Sequence, residues 1–77
     1  MSFKPANTPR LFWLDRLDDE SGVSGTGLVL WGVQFSDGQV VVQWDTEFRS
    51  VGIYKDIQDF TRIHGHMGKS IVRWMEP

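Results

Sequence analysis

Gly27-Leu-Val-Leu-Trp-Gly-Val-Gln-Phe-Ser-Asp-Gly-Gln-Val-Val-Val-Gln-Trp44 is two apolar runs joined by a turn. In the first run Val29, Trp31, Val33 and Phe35 recur at every second position; in the second, Val40, Val42 and Trp44 do the same. Side chains two residues apart share a face of a pleated strand, so each set defines a strand face. Ser36-Asp37-Gly38 lies between them, and Asp and Gly tolerate the positive φ angles that a hairpin demands. The spacing predicts a hairpin whose seven apolar side chains converge on the inside of a bent sheet.

Outward from the hairpin the chain continues in short strands. Residues 10–17 alternate, with Phe12, Leu14 and Arg16 on one face and Leu11, Trp13, Asp15 and Leu17 on the other. Residues 18–27 read as a loop, with three acids, three glycines and two serines in ten positions. After a turn at Asp45-Thr46-Glu47, residues 48–54 form another strand. The period then changes: Ile57, Phe60 and Ile63 recur at three, and Asp56 is placed as N-cap with Asp59 three residues on, which predicts one or two turns of helix. His64-Gly-His-Met-Gly68 ends it. Residues 69–75 are the last strand, with Val72 and Trp74 toward the core and Ile71 and Arg73 opposite. Residues 1–9, with Pro5 and Pro9, are expected to be a flexible arm, and residues 10–77 a single small domain. This order predicts an all-β fold with one short helical turn: a five-stranded SH3-like small barrel, or alternatively an open five-stranded antiparallel meander with one helix on a face.

Composition narrows the function classes. The 77 residues include no cysteine, which rules out disulfides, thiolate metal sites and a cysteine nucleophile. Core stability then rests on apolar packing, to which four Trp and five Phe contribute large areas. The net charge of −2 argues against a general binder of nucleic acid. Charge is unevenly placed: residues 1–48 carry three bases against seven acids, and residues 49–77 five bases against three acids. No apolar run approaches bilayer-spanning length and the N-terminus lacks the pattern of a signal peptide, so the expected location is cytoplasmic, away from membrane.

Three constellations carry chemistry. In Gly22-Val-Ser-Gly-Thr-Gly27, backbone N–H groups freed by glycine would converge on an anion, with Ser24, Gly25 and Thr26 as the contact residues. The same glycines also serve a loop that merely reverses direction. It is neither a P-loop nor a dinucleotide fingerprint, because the Lys-Ser/Thr ending and the βαβ unit are missing. His64-Gly-His66 has two metal-type ligands, but no third ligand has suitable spacing, so no metal and no cofactor is expected. His64 and His66 are placed instead as capping or hydrogen-bonding groups of the loop, or as donors to an anionic ligand with Arg62, Lys69 or Arg73 nearby. The acids Asp15, Asp18, Asp19 and Glu20 lack the fixed separation of a two-carboxylate site and read as a solvated loop. Trp13, on a face shared with Asp15, is the tryptophan expected at the surface as a binding anchor.

Gly22-Val-Ser-Gly-Thr-Gly27, Phe35-Ser-Asp-Gly38, Val42-Gln-Trp44, Ile63-His-Gly-His66 and Trp74 together resemble a family of small proteins from bacteria and their phages, over about residues 12–75. Lys55 stands where that pattern has Asp, and Met67 where a second glycine is usual. The resemblance implies a mobile-element or accessory role. The hairpin alone, about eighteen residues, is similar to small barrels of the KOW and Tudor kind. The resulting expectation is a non-enzymatic binding module, a phage accessory protein that takes a host protein or a small anionic, nucleotide-like ligand between the 22–27 and 64–68 loops. A nucleic-acid-binding barrel and a hydrolase with a metal at His64 and His66 are the alternatives. An exposed first or last strand would pair two copies as a homodimer.

Overall fold

The computed structural model describes residues 8–18 and 26–75, the side chain of His66 excepted. Its elements are β1 (Arg10–Arg16), β2 (Gly27–Gln34), β3 (Val40–Trp44), β4 (Val51–Tyr54), α1 (Ile57–His64), a 3₁₀ turn (His66–Gly68) and β5 (Ser70–Trp74). The strands form one sheet in the order β4-β3-β2-β1-β5, and every ladder is antiparallel. Of the two arrangements predicted, the open five-stranded sheet with one helix accounts for the ladders. Among the described residues none joins β4 to β5, and these two strands are the edges. β1 is interior, held by β2 on one side and β5 on the other, so of the first and last strands only the last offers an edge for pairing. The expected arm lies outside the described residues apart from Thr8 and Pro9.

The hairpin turn forms as its residues dictate. The Gly38 N–H donates to the Phe35 carbonyl at 2.9 Å, Gly38 sits at φ 94°, and Asp37 Oδ1 accepts from the Gln39 N–H at 2.9 Å. The faces differ from expectation on β2. Val29, Val40 and Val42 are buried and Trp44 packs against the core, but Trp31, Val33 and Phe35 point to the other side of the sheet. The reason is Gly32. It stands opposite Phe12, whose ring lies flat against it: a Cβ built there falls within 2.8 Å of three ring carbons. The inward positions of β2 are thus Leu30 and an empty glycine site filled from the neighbouring strand. Val29 joins the core through a register shift, since Leu14 pairs with Leu30 and Asp15 with Leu28, leaving Val29 as the extra residue of a bulge.

On the inner face Phe12, Leu14, Val29, Leu30, Val40, Val42 and Phe60 are buried. α1 closes over them. Asp56 Oδ1 accepts from the Asp59 N–H at 2.8 Å, the cap that the sequence predicts. Phe60 is fully buried, whereas Ile63 is 56% exposed; His64, four residues after Phe60, takes the inward place instead. Rings run unbroken across the sheet: Trp74 on Phe12 (5.2 Å), Phe12 on Phe60 (5.6 Å), Phe60 on Tyr54 (5.2 Å), Tyr54 on His64 (5.5 Å) and His64 on Trp44 (5.2 Å). This chain of edge-to-face and tilted contacts ties both edge strands to the helix.

The outer face is also apolar. One cross-strand row runs Ile53, Val41, Val33, Leu11; the next runs Val51, Gln43, Trp31, Trp13, Arg73.

Candidate functional site

β1 brings two loops together. Its last residue, Arg16, pairs with Gly27 on one side and Ser70 on the other. Gly27 is where the glycine-rich segment enters β2, and Ser70 is where the 3₁₀ turn enters β5. The Leu17 N–H donates to the Lys69 carbonyl at 2.7 Å and extends the junction by one residue. Gly27 and Ser70, where the two loops meet the sheet, thus flank Arg16 on either side of β1, while residues 22–25 of the first loop lie outside the described residues.

Arg16 is the unusual group at this junction. It alternates with Phe12 and Leu14 onto the inner face and is only 8% exposed. Among the described residues nothing forms an ion pair or hydrogen bond with its guanidinium. A desolvated cation without a counter-charge is costly, and such groups in native proteins are normally paired. Beside it Ser70 is 5% exposed, and its Oγ is buried without a hydrogen-bond partner. Facing cross-strand Cβ atoms lie about 5 Å apart, so Arg16 and Ser70, whose hydroxyl is the unpartnered one, start from neighbouring positions on the two strands. Ser70 also lines an open cleft of about 620 Å³ between α1, through Ile57, Thr61 and Arg62, and the following turn, through Gly65, Met67 and Gly68. The backbone of that turn is tightly tied: the Gly65 carbonyl accepts from both the Gly68 and the Ser70 N–H, and the Gly65 N–H donates to the Thr61 carbonyl.

The residues expected at the site are placed as follows. Ser24 and Gly25 lie outside the described residues; Thr26 is exposed at the bend before β2. Arg62 is exposed on α1, 3.3 Å from Asp59, and lines the cleft. His64 is half-buried, shares a 2.7 Å hydrogen bond between its Nε2 and Tyr54 Oη, and packs among Trp44, Tyr54 and Phe60. His66 opens the 3₁₀ turn. Trp13 lies on the outer face, across from Trp31 and Arg73, and is separated from the others by the thickness of the sheet. Arg73 is on that face too, bound to Asp15 Oδ2 at 3.1 and 3.2 Å, while Lys69 is 3.9 Å from Asp18. The bases named from the sequence thus face acids, whereas Arg16 has no ion pair among the described residues. Its signal was an arginine in register with Phe12 and Leu14 on a core-facing strand.

Among the described residues there is no group of three or more metal-type ligands, and no helix is long and apolar enough to cross a membrane. No curated protein and no solved structure matches the chain. A family model does, over residues 9–76, nearly the whole length in which the hairpin, the buried Arg16 and the His64 turn fall: the chain belongs to the Acb5 phage protein family.

Proposed function

We propose that this phage accessory protein is a non-enzymatic binding module that captures a small anionic, nucleotide-like ligand at the sheet end formed by Arg16, Ser70 and the entry to β2. The observation that carries this reading is Arg16, nine-tenths buried with its charge unmatched among the described residues, paired across the strands with Ser70, whose hydroxyl is unpartnered. A phosphate oxygen would supply the missing counter-charge to the guanidinium and the missing acceptor to the hydroxyl. The apolar wall of the adjoining cleft suits the remainder of a nucleotide. The non-enzymatic reading is supported by His64: a histidine hydrogen-bonded to Tyr54 and packed among three rings is held in the core rather than presented to a substrate.

Isothermal titration against a panel of mono-, di- and cyclic nucleotides tests the proposal, with Arg16→Met as the variant. Loss of one charged hydrogen-bond partner corresponds to about 30- to 100-fold in affinity. The same substitution removes a buried charge that no described residue matches, so ligand-free Arg16→Met is expected to be more stable than wild type by about 1 kcal/mol. Binding that is unaffected by the substitution, or a wild-type protein that takes no nucleotide and instead retains a host protein from lysate, overturns the nucleotide reading.

A further inference from the structure

We propose that the outer face of the sheet is a homodimer interface, covered by the same face of a second copy. A sheet is stable when both faces are packed or one is polar, and small domains are built of two layers around a core. Here α1 supplies the second layer on the inner side only. The outer side carries the two cross-strand rows described above, with Ile53 66%, Val51 59% and Leu11 47% exposed.

Three observations select a second copy as the occupant. The first is area. With aromatic side chains of about 150–250 Å² each and aliphatic ones somewhat smaller, the exposed fractions across this face amount to roughly 600 Å² per chain. That is at the top of what a monomer of this kind leaves uncovered. Doubled in a symmetric pair, it reaches the roughly 1,200 Å² at which specific interfaces begin. The second is charge. In these two rows and the position beside them, the charged groups are Asp15 and Arg73, which bind each other at 3.1 Å. The face therefore carries no net charge; it offers nothing to an acidic or basic partner and brings no like-charge clash when opposed to itself. The third is symmetry. Isologous contact requires a patch that complements itself, and a row of aliphatic side chains flanked by tryptophan meets that need as two aligned sheets about 10 Å apart. The Arg16 end faces the opposite side of the sheet and stays open in such a pair.

The test uses the full chain. Light scattering coupled to size exclusion is expected to give twice the chain mass of 8.9 kDa across micromolar concentrations. Ile53→Lys, at an exposed edge-strand position, is expected to weaken self-association at least tenfold while leaving the melting profile of the monomer cooperative. The chain lacks cysteine, so single cysteines can report geometry. A short bis-maleimide should link Gln43→Cys, on the outer face, and leave Gln58→Cys, on the helix, unlinked. A monomeric mass at every concentration, a dimer indifferent to Ile53→Lys, or linkage through Gln58→Cys in place of Gln43→Cys overturns the proposal.

Discussion

Tyr54 Oη and His64 Nε2 meet at 2.7 Å between the edge strand β4 and the last residue of α1. The contact exists because Gly52 has no side chain: the Tyr54 ring folds back along its own strand over that glycine, and a Cβ there would lie 2.9 Å from the hydroxyl. Tyr54→Phe keeps the ring packing and removes the bond, which should cost about 1 kcal/mol in urea denaturation. Gly52→Ala should cost a similar amount by displacing the hydroxyl. If so, the two losses are not additive, and the double variant is destabilised by clearly less than their sum. Full additivity would show that Gly52 acts by another route.

Phe12 and Gly32 are the equivalent pair at the centre of the sheet. Gly32→Ala drives a methyl into a fully buried ring that the facing residues, Leu14, Leu30 and Phe60, leave no room to move. The expected loss is about 3 kcal/mol, the upper end for overpacking. Chemical denaturation measures it; a change below about 0.5 kcal/mol would mean that the ring does not rest on that glycine.

Asp56 caps α1 by accepting from the Asp59 N–H. Asp56→Ala should lower stability by about 1 kcal/mol, and Asp56→Asn by much less, since the amide oxygen accepts the same bond. Equal losses in the two variants would assign the effect to charge at the helix start and not to the cap.

Met67 is fully exposed and occupies the left-handed region, at φ 55° and ψ 40°. A side chain there is strained and makes no compensating contact in the core. Met67→Gly should therefore raise the melting temperature, with a gain of roughly 0.5–1 kcal/mol after the greater freedom of glycine in the unfolded chain is allowed for. An unchanged or lower melting temperature would place Met67 in a contact worth more than its backbone strain.

The elements were legible because each depends on its own few residues. The turn at Asp37-Gly38, the cap at Asp56 and the alternation of β1 and β5 are local, and all appear where their residues place them. The inward face of β2 was not legible. Alternation shows that Trp31, Val33 and Phe35 share a side, but a thin strand with apolar residues on both sides does not say which side is inside. His64 was misplaced for a related reason: Ile63 keeps the period of three, yet the helix lays its i+4 neighbour of Phe60 against Trp44 and Tyr54.

Period, turn chemistry and capping are properties of neighbouring residues, so strand, turn and helix identity follow from the order of amino acids alone. Which face is buried, and which polar groups lose their water, depend on what lies across the sheet. Phe12 claims the space that Gly32 leaves, and that contact turns the tryptophan face outward. Antiparallel register then sets Arg16 between Gly27 and Ser70, residues 11 and 54 positions further along the chain. A charge becomes desolvated only when distant strands are in place around it, and for that reason the candidate site belongs to the tertiary structure.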